Sequence, residues 1–443
     1  MKNNLSHSRR RLSSVLLSVA VVISWVGFAS AAGPTMKVLY RFHGKDGAYP
    51  VGRLLLNEAG NIVGTTASGG PLAEGVVFEL VPSKNGLWRE NLLRVRLGLG
   101  ADGPNGGLIS DQAGNLYGTT LGGGRVGAGT VFELSPPKAQ GDSWIFTLLH
   151  TFEGGADGER PYGGVVFDQA GNLYGATSLG GGSKNCVDLG NAGCGVVFQL
   201  AHPTRAGGVW TEHILHRFIN GTDGASPVAG LVIDAHGNLY GTTIAGGTFN
   251  GGVVFEIKRS GAGGMWTRTI LHSFSGTDGA NPYGGLTLDA KGNLYGAATY
   301  GGSFGCAFGN SCGLVFQLQR PSKQGDPWTE NILFAFPSGS QGGANPYAGV
   351  VLGSNGKLYG TTEMGGFIAY PTCNYGCGLV YELSPPAQPG ASWNENVLYE
   401  FKGGQDGALP AGDLIFDKKG ALYGTSQGAN PDGGLGTVFR LEP

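Results

Sequence analysis

The sequence predicts an all-β fold, a seven-bladed β-propeller of four-stranded antiparallel blades. Three observations predict it. First, one phrase, Gly-Asn-Leu-Tyr-Gly or a close variant, recurs at residues 60–64, 114–118, 171–175, 237–241, 292–296, 356–360 and 420–424, in steps of 54, 57, 66, 55, 64 and 64 residues. A period of this size marks an array whose units bury their apolar faces on one another. Second, the repeats contain short alternating runs between Gly-rich turns and no 3.6-residue periodicity. Third, each repeat holds four such runs, the content of a propeller blade.

The fifth repeat shows each element in order. Residues 283–289 alternate and form a first strand. Residues 290–293 turn, with Asp289 accepting backbone N–H groups and Gly292 supplying positive φ. A second strand starts at Leu294 and leads to a loop with Gly301 and Gly302. Residues 313–318 form a third strand, a polar loop runs to Trp328, and residues 330–336 form a fourth. The fourth-strand phrase occurs at 38–42, around Leu92 and Leu93, and at 148–150, 214–216, 270–272, 332–334 and 397–399. The chain thus opens on a fourth strand and ends on a third. Residues 38–42 should pair with 436–441 and close the ring inside one blade, which removes exposed sheet edges. An open β-solenoid is the alternative, though its coils are shorter and need unusual end repeats as caps.

Residues 1–31 have the layout of a secretory signal peptide. Lys2, Arg9, Arg10 and Arg11 precede an apolar run from Leu12 to Phe28, and Ala29-Ser30-Ala31 is a small-x-small cleavage site. An uncleaved anchor is the alternative, and the paired arginines partly match a twin-arginine signal. Residues 32–443 are then a single propeller domain of seven repeats, secreted or periplasmic, with no membrane segment in the mature form.

With its Gly-Asn-Leu-Tyr-Gly-Thr-Thr and Gly-Val-Val-Phe-Glu-Leu phrases, the repeat resembles that of the choice-of-anchor tandem-repeat GloVer-containing proteins, over essentially all of residues 36–443. The resemblance implies an exported bacterial protein of repeat architecture. It brings no activity with it.

Net charge is −2, 14% of residues are charged, and no basic stripe stands in the mature chain, which excludes nucleic acid as the main partner. The six cysteines form close pairs, Cys186 with Cys194, Cys306 with Cys312 and Cys373 with Cys377. In an exported chain these read as disulfides, each stiffening the long loop between second and third strands. No Cys set with matching His offers a zinc site, so no metal and no cofactor are expected.

Two aspartate series recur. Asp46, Asp102, Asp157, Asp223, Asp278 and Asp406 each precede Gly; Asp111, Asp168, Asp234, Asp289 and Asp417 stand in the first hairpin. Both read as turn chemistry. His150, His216 and His272 share one fourth-strand position with Tyr40, Phe334 and Tyr399, so a flat ring packs there. Trp88, Trp144, Trp210, Trp266, Trp328 and Trp393 recur as blade packing. Phosphate loops, nucleophile elbows and His-Glu-x-x-His are absent from the sequence.

What varies between repeats is more informative. The repeats with cysteine pairs also carry Tyr162, Tyr283 and Tyr347 after an X-Pro step, with Asn281 and Asn345 as X. Phe304 and Tyr375 lie in the long loops. These seven residues are the expected ligand-binding set, since aromatics beside amides suit sugars or peptides. The chain reads as a monomeric, non-catalytic binding protein for extracellular carbohydrate, or for a protein or peptide partner. An envelope structural role is the alternative, and a propeller enzyme acting on polysaccharide or lactone the more distant one.

Overall fold

A computed structural model describes residues 33–94, 103–139, 142–186, 193–205, 207–261, 264–302, 312–323, 325–337, 342–368, 373–388, 391–428 and 435–443. The expected signal peptide at 1–31, Phe304 and Cys306 lie outside the described residues. Residues 34–443 form one compact unit. It is a seven-bladed propeller of four-stranded antiparallel sheets, with no α-helix among the described residues. No helix there is long and apolar enough to cross a membrane.

Blades 1 to 7 carry the second strands Ile62–Thr66, Leu116–Thr120, Leu173–Thr177, Leu239–Thr243, Leu294–Ala298, Leu358–Thr362 and Leu422–Ser426. In blade 4 the order is Val232–Ile233, Leu239–Thr243, Val253–Arg259 and Trp266–Ser273. The ring closes as the sequence predicts: Thr35–Arg41 pairs antiparallel with Thr437–Glu442, so blade 7 takes its fourth strand from the chain's start. First strands are shorter than the alternating runs suggested, two residues in each blade; in blade 5 this is Thr287–Leu288.

The third and fourth strands of every blade pair through a β-bulge, in blade 4 between Val254 and Phe255. The extra residue bends the fourth strand and re-aims the side chains beyond it. Inside each blade, the mid-strand Gly of the second strand faces an aromatic ring of the third. A Cβ on Gly241 would lie 2.6 Å from the Phe255 ring, so any larger residue collides with it.

The core is a set of seven wedges between blades. Each apolar cluster joins two neighbours, as where Tyr174 and Val197 of blade 3 meet Leu239 and Phe255 of blade 4. At six interfaces an aromatic ending one blade's fourth strand stacks edge-on against the next blade's third-strand ring, from Phe42–Phe78 at 5.1 Å to Phe401–Phe439 at 5.3 Å. The recurring tryptophans also reach across, Trp210 to Tyr117, Trp266 to Tyr174 and Trp328 to Tyr240, at 6.0–6.4 Å between ring centres.

A candidate ligand site at the channel mouth

One loop motif places the site. Before each first strand stands an X-Pro step, and X is Tyr49, Gly103, Arg160, Ser226, Asn281, Asn345 or Leu409, all with φ of 50–62°. Its N–H donates to the carbonyl just before a Gly in the preceding blade, as Ser226 does to Cys194. The proline rides over that Gly: a Cβ on Gly195 would lie 2.7 Å from Pro227 Cδ. This clasp explains why each third strand is preceded by Gly, and it aims the residue after Pro at the central channel. The seven residues so aimed are Val51, Asn105, Tyr162, Val228, Tyr283, Tyr347 and Ala411.

The channel encloses about 900 Å³. Three of its seven mouth positions are tyrosines. Tyr283 and Tyr347 stack with ring centres 4.6 Å apart and planes 19° from parallel. Burial first, then the Tyr162 phenol, holds the Tyr347 phenol above its usual range. Burial also raises Tyr283, with Tyr162 and Tyr300 as neighbours. Glu363, on the loop after the second strand of blade 6, stands beside both, and burial lifts its carboxyl above the ordinary carboxylate range. Asn105 Oδ1 is buried at this mouth with no hydrogen-bond partner. At the waist, five blades present Gly, while blades 1 and 7 present Arg53 and Asp413. Asp413 Oδ1 accepts the Gly349 N–H at 2.8 Å.

The expected binding set divides. Tyr162, Tyr283 and Tyr347 come together on the channel. Asn281 and Asn345 do not face it: their left-handed backbone is the clasp, and their amides donate to Ile244 O at 2.7 Å and Thr299 O at 3.1 Å in the preceding blade. Tyr375 lies half-exposed on the blade 6 loop, away from the channel lining. Sequence reasoning missed Glu363, Asn105, Arg53 and Asp413. Arg53 and Asp413 were legible as departures from a Gly that the other five blades share, whereas Glu363 and Asn105 stand at positions with no consensus and left no such signal.

Two of the expected disulfides are formed, Cys186–Cys194 and Cys373–Cys377. The second cysteine of each is the clasp carbonyl, accepting from Ser226 and Leu409 of the next blade. The staples therefore stiffen a blade-to-blade joint beside the mouth.

A family model described as the Gloeobacter/Verrucomicrobia repeat matches residues 28–187 and 145–322. No curated protein matches the chain. Among solved structures, the chain is similar to a fungal alcohol oxidase of the AA5 family in complex with copper, at 13% identity and a TM-score of 0.52, covering 92% of this chain and 76% of that one. It is also similar to the extracellular domain of a putative hybrid two-component system from B. thetaiotaomicron, at 11% identity and a TM-score of 0.50, covering 91% and 39%. At these identities the likeness concerns the fold alone.

Proposed function

The chain belongs to the Gloeobacter/Verrucomicrobia repeat family, and we propose that it is an exported binding protein that takes a carbohydrate unit at the tyrosine-lined mouth of its channel. The observation that carries this reading is the Tyr162, Tyr283 and Tyr347 group set over an open cavity with the Glu363 carboxyl beside it. Aromatic faces pair with the C–H faces of a sugar, while a buried carboxyl and the unpartnered Asn105 amide oxygen supply directional hydrogen bonds. Burial raises that carboxyl toward its uncharged form, which favours a neutral polyhydroxyl ligand over a cation. Export is supported by the signal-like N-terminus and by disulfides on the loops.

The test is a thermal-shift and calorimetric screen of the protein against neutral oligosaccharides, with Tyr283→Ala, Tyr347→Ala and Glu363→Gln alongside. A ligand of the folded state raises the melting temperature by mass action. A hit lost in the tyrosine variants supports the reading. Saccharide binding that survives all three variants removes the mouth as the site. A screen without hits, followed by capture of a peptide that depends on Tyr347, turns the proposal to a peptide ligand.

A further inference from the structure

A second set of polar side chains lies away from the channel, at the joints between blades. Three series that look independent in the sequence converge there. They are the ring-bearing position of one fourth strand, the Asp of the following Asp-Gly turn, and the second residue after Trp on the next fourth strand. Their contents differ from joint to joint. Between blades 7 and 1, Tyr40 donates to Asp46 at 2.8 Å and to Glu90 at 3.1 Å. Between blades 1 and 2, the Arg94 guanidinium lies 5.1 Å over the Phe146 ring. Between blades 3 and 4, His216 Nε2 is 3.1 Å from Asp223 Oδ1, and Arg268 completes an ion pair with the same oxygen at 2.5 Å. Between blades 6 and 7, Tyr399 donates to Asp406 at 2.8 Å.

Two joints differ from these. Between blades 2 and 3, His150 Nε2 stands 3.8 Å from Asp157 Oδ2 and 3.7 Å from Glu212 Oε1. Between blades 4 and 5, His272 Nε2 stands 3.3 Å from Asp278 Oδ2 and 3.6 Å from Glu330 Oε2. In each trio the three donor atoms lie within 4.8 Å of one another. Most of these spacings are too long for hydrogen bonds. They match donors arranged around one ion at about 2.0–2.2 Å from each, which lie roughly 3–4 Å apart. His150 Nε2, Glu212 Oε1, His272 Nε2 and Glu330 Oε1 are buried without a hydrogen-bond partner. The aligned Glu90 Oε1, Arg268 Nε and Glu395 Oε1 are orphaned as well, so the carboxylates alone do not single out these joints. The two imidazole nitrogens do, since buried polar atoms are nearly always partnered and His216 at the aligned joint has its Asp223 partner.

We infer that the blade 2–3 and blade 4–5 joints each hold one divalent transition-metal ion, ligated by His150, Asp157 and Glu212 in the first and by His272, Asp278 and Glu330 in the second. One imidazole with two carboxylates selects ions of the zinc or manganese class over the all-oxygen coordination that calcium prefers. The supporting shell is in place. Glu153 N–H donates to Asp157 Oδ2 at 2.7 Å and Ser275 N–H to Asp278 Oδ1 at 2.6 Å, which fixes the carboxylates. Each imidazole packs edge-on against Phe152 or Phe274 at 4.7 Å, which fixes the ring. The blade 3–4 joint is the internal control: it has the His and the Asp, but Arg268 stands where the others have Glu and brings its own positive charge.

The test counts ions. The full chain, stripped with chelator, is dialysed at neutral pH against Zn²⁺ and separately against Mn²⁺, and bound metal is measured by mass spectrometry. Two equivalents per chain are expected, falling to one in Glu212→Gln and one in Glu330→Gln, and rising to three in Arg268→Glu. Gln keeps the size and shape of the Glu side chain, so those variants should keep the fold. No saturable uptake of either ion, or a count that survives both Gln substitutions together, overturns the assignment. If a Gln variant fails to fold, the Arg268→Glu count decides: a third equivalent upholds the sites and an unchanged count overturns them.

Discussion

The apolar depth of the blade joints and the polar ends of the same joints obey different rules. Deep in the wedge, joint after joint repeats one arrangement, an aromatic ending one blade against a ring in the next blade's third strand, at 5.1–5.3 Å. At the channel mouth the aligned residue is Tyr in three blades and Val, Ala or Asn in the others. At the polar joints it is Tyr, His, Arg or Phe facing Glu, Arg, Phe or Met. The difference separates two kinds of constraint. The wedge must be uniform because each blade is stabilised by its neighbours. The mouth and the polar joints are free to vary, and specific chemistry collects there.

The largest effect should come from breaking the uniform layer. Phe255 is fully buried between blades 3 and 4, against Phe218 at 5.2 Å. Phe255→Ala should cost about 3–5 kcal/mol in chemical denaturation. A loss of that size from a mouth residue such as Val228→Ala would show that the two layers are not distinct.

Next comes the polar joint between blades 3 and 4. Arg268 pairs there with the nearly buried Asp223. Arg268→Met should destabilise the metal-free protein by about 3 kcal/mol, the low end for breaking a buried pair, because His216 still faces the Asp223 carboxylate. Glu212→Gln at the aligned position of blade 3 should change metal-free stability little, because that carboxyl already carries a proton near neutral pH. Equal losses in denaturant melts of the two variants would contradict the assigned charge states.

These joints also show how far the sequence could be read. The period, the four runs per repeat and the offset ends were sufficient for the blade count and for the strand pairing that closes the ring, because both follow from local patterns repeated many times. The three tyrosines were visible because the position after Pro changes from repeat to repeat. Asn281 and Asn345 could not be told apart from a ligand-binding pair, because a left-handed residue before Pro and a ligand-binding amide leave the same letter in the sequence. Their amides serve the clasp. The His–Asp–Glu trios were invisible for a different reason. His150 and Asp157 are close in the chain, but Glu212 arrives from the next blade, and only the bulged register shows that it meets them. Reading each series separately gave turn chemistry for the aspartates and ring packing for the histidines. Both hold, as Asp157 caps its turn and His150 packs on Phe152, but neither is complete.

A smaller effect is the pH dependence of the metal-free protein. Burial holds Glu212 up to about 9, Glu330 to about 8, and Glu90 and Glu395 to about 7. Folded-state values above the unfolded ones mean that the native state binds these protons more tightly. The associated stability is therefore full in acid and is lost as pH rises through the folded values. His150 and His272 are lowered by burial and act oppositely, below about pH 6.5. Above that, the melting temperature with chelator present should fall steadily from about pH 7 to about pH 9. Glu212→Gln combined with Glu330→Gln should flatten most of that slope, and a slope of unchanged steepness would place the responsible groups elsewhere.

The smallest expected effect lies where the uniform layer itself departs from its rule. Blade 6 has Tyr381 where the other blades have Phe, and its hydroxyl is fully buried with no hydrogen-bond partner. The joint around it is also the one with Phe334 in the ring position, Gly342 in place of Asp, and an unpartnered oxygen on Glu395. A buried hydroxyl left unpaired costs more than its deletion, because the water it lost on folding is not replaced. Tyr381→Phe restores the consensus ring and should stabilise the protein by about 1 kcal/mol in denaturant melts. A destabilised variant would mean that the hydroxyl does find a partner in solution, with the Glu395 carboxyl close enough to influence it. This joint would then belong with the variable polar ends of the propeller and not with its uniform core.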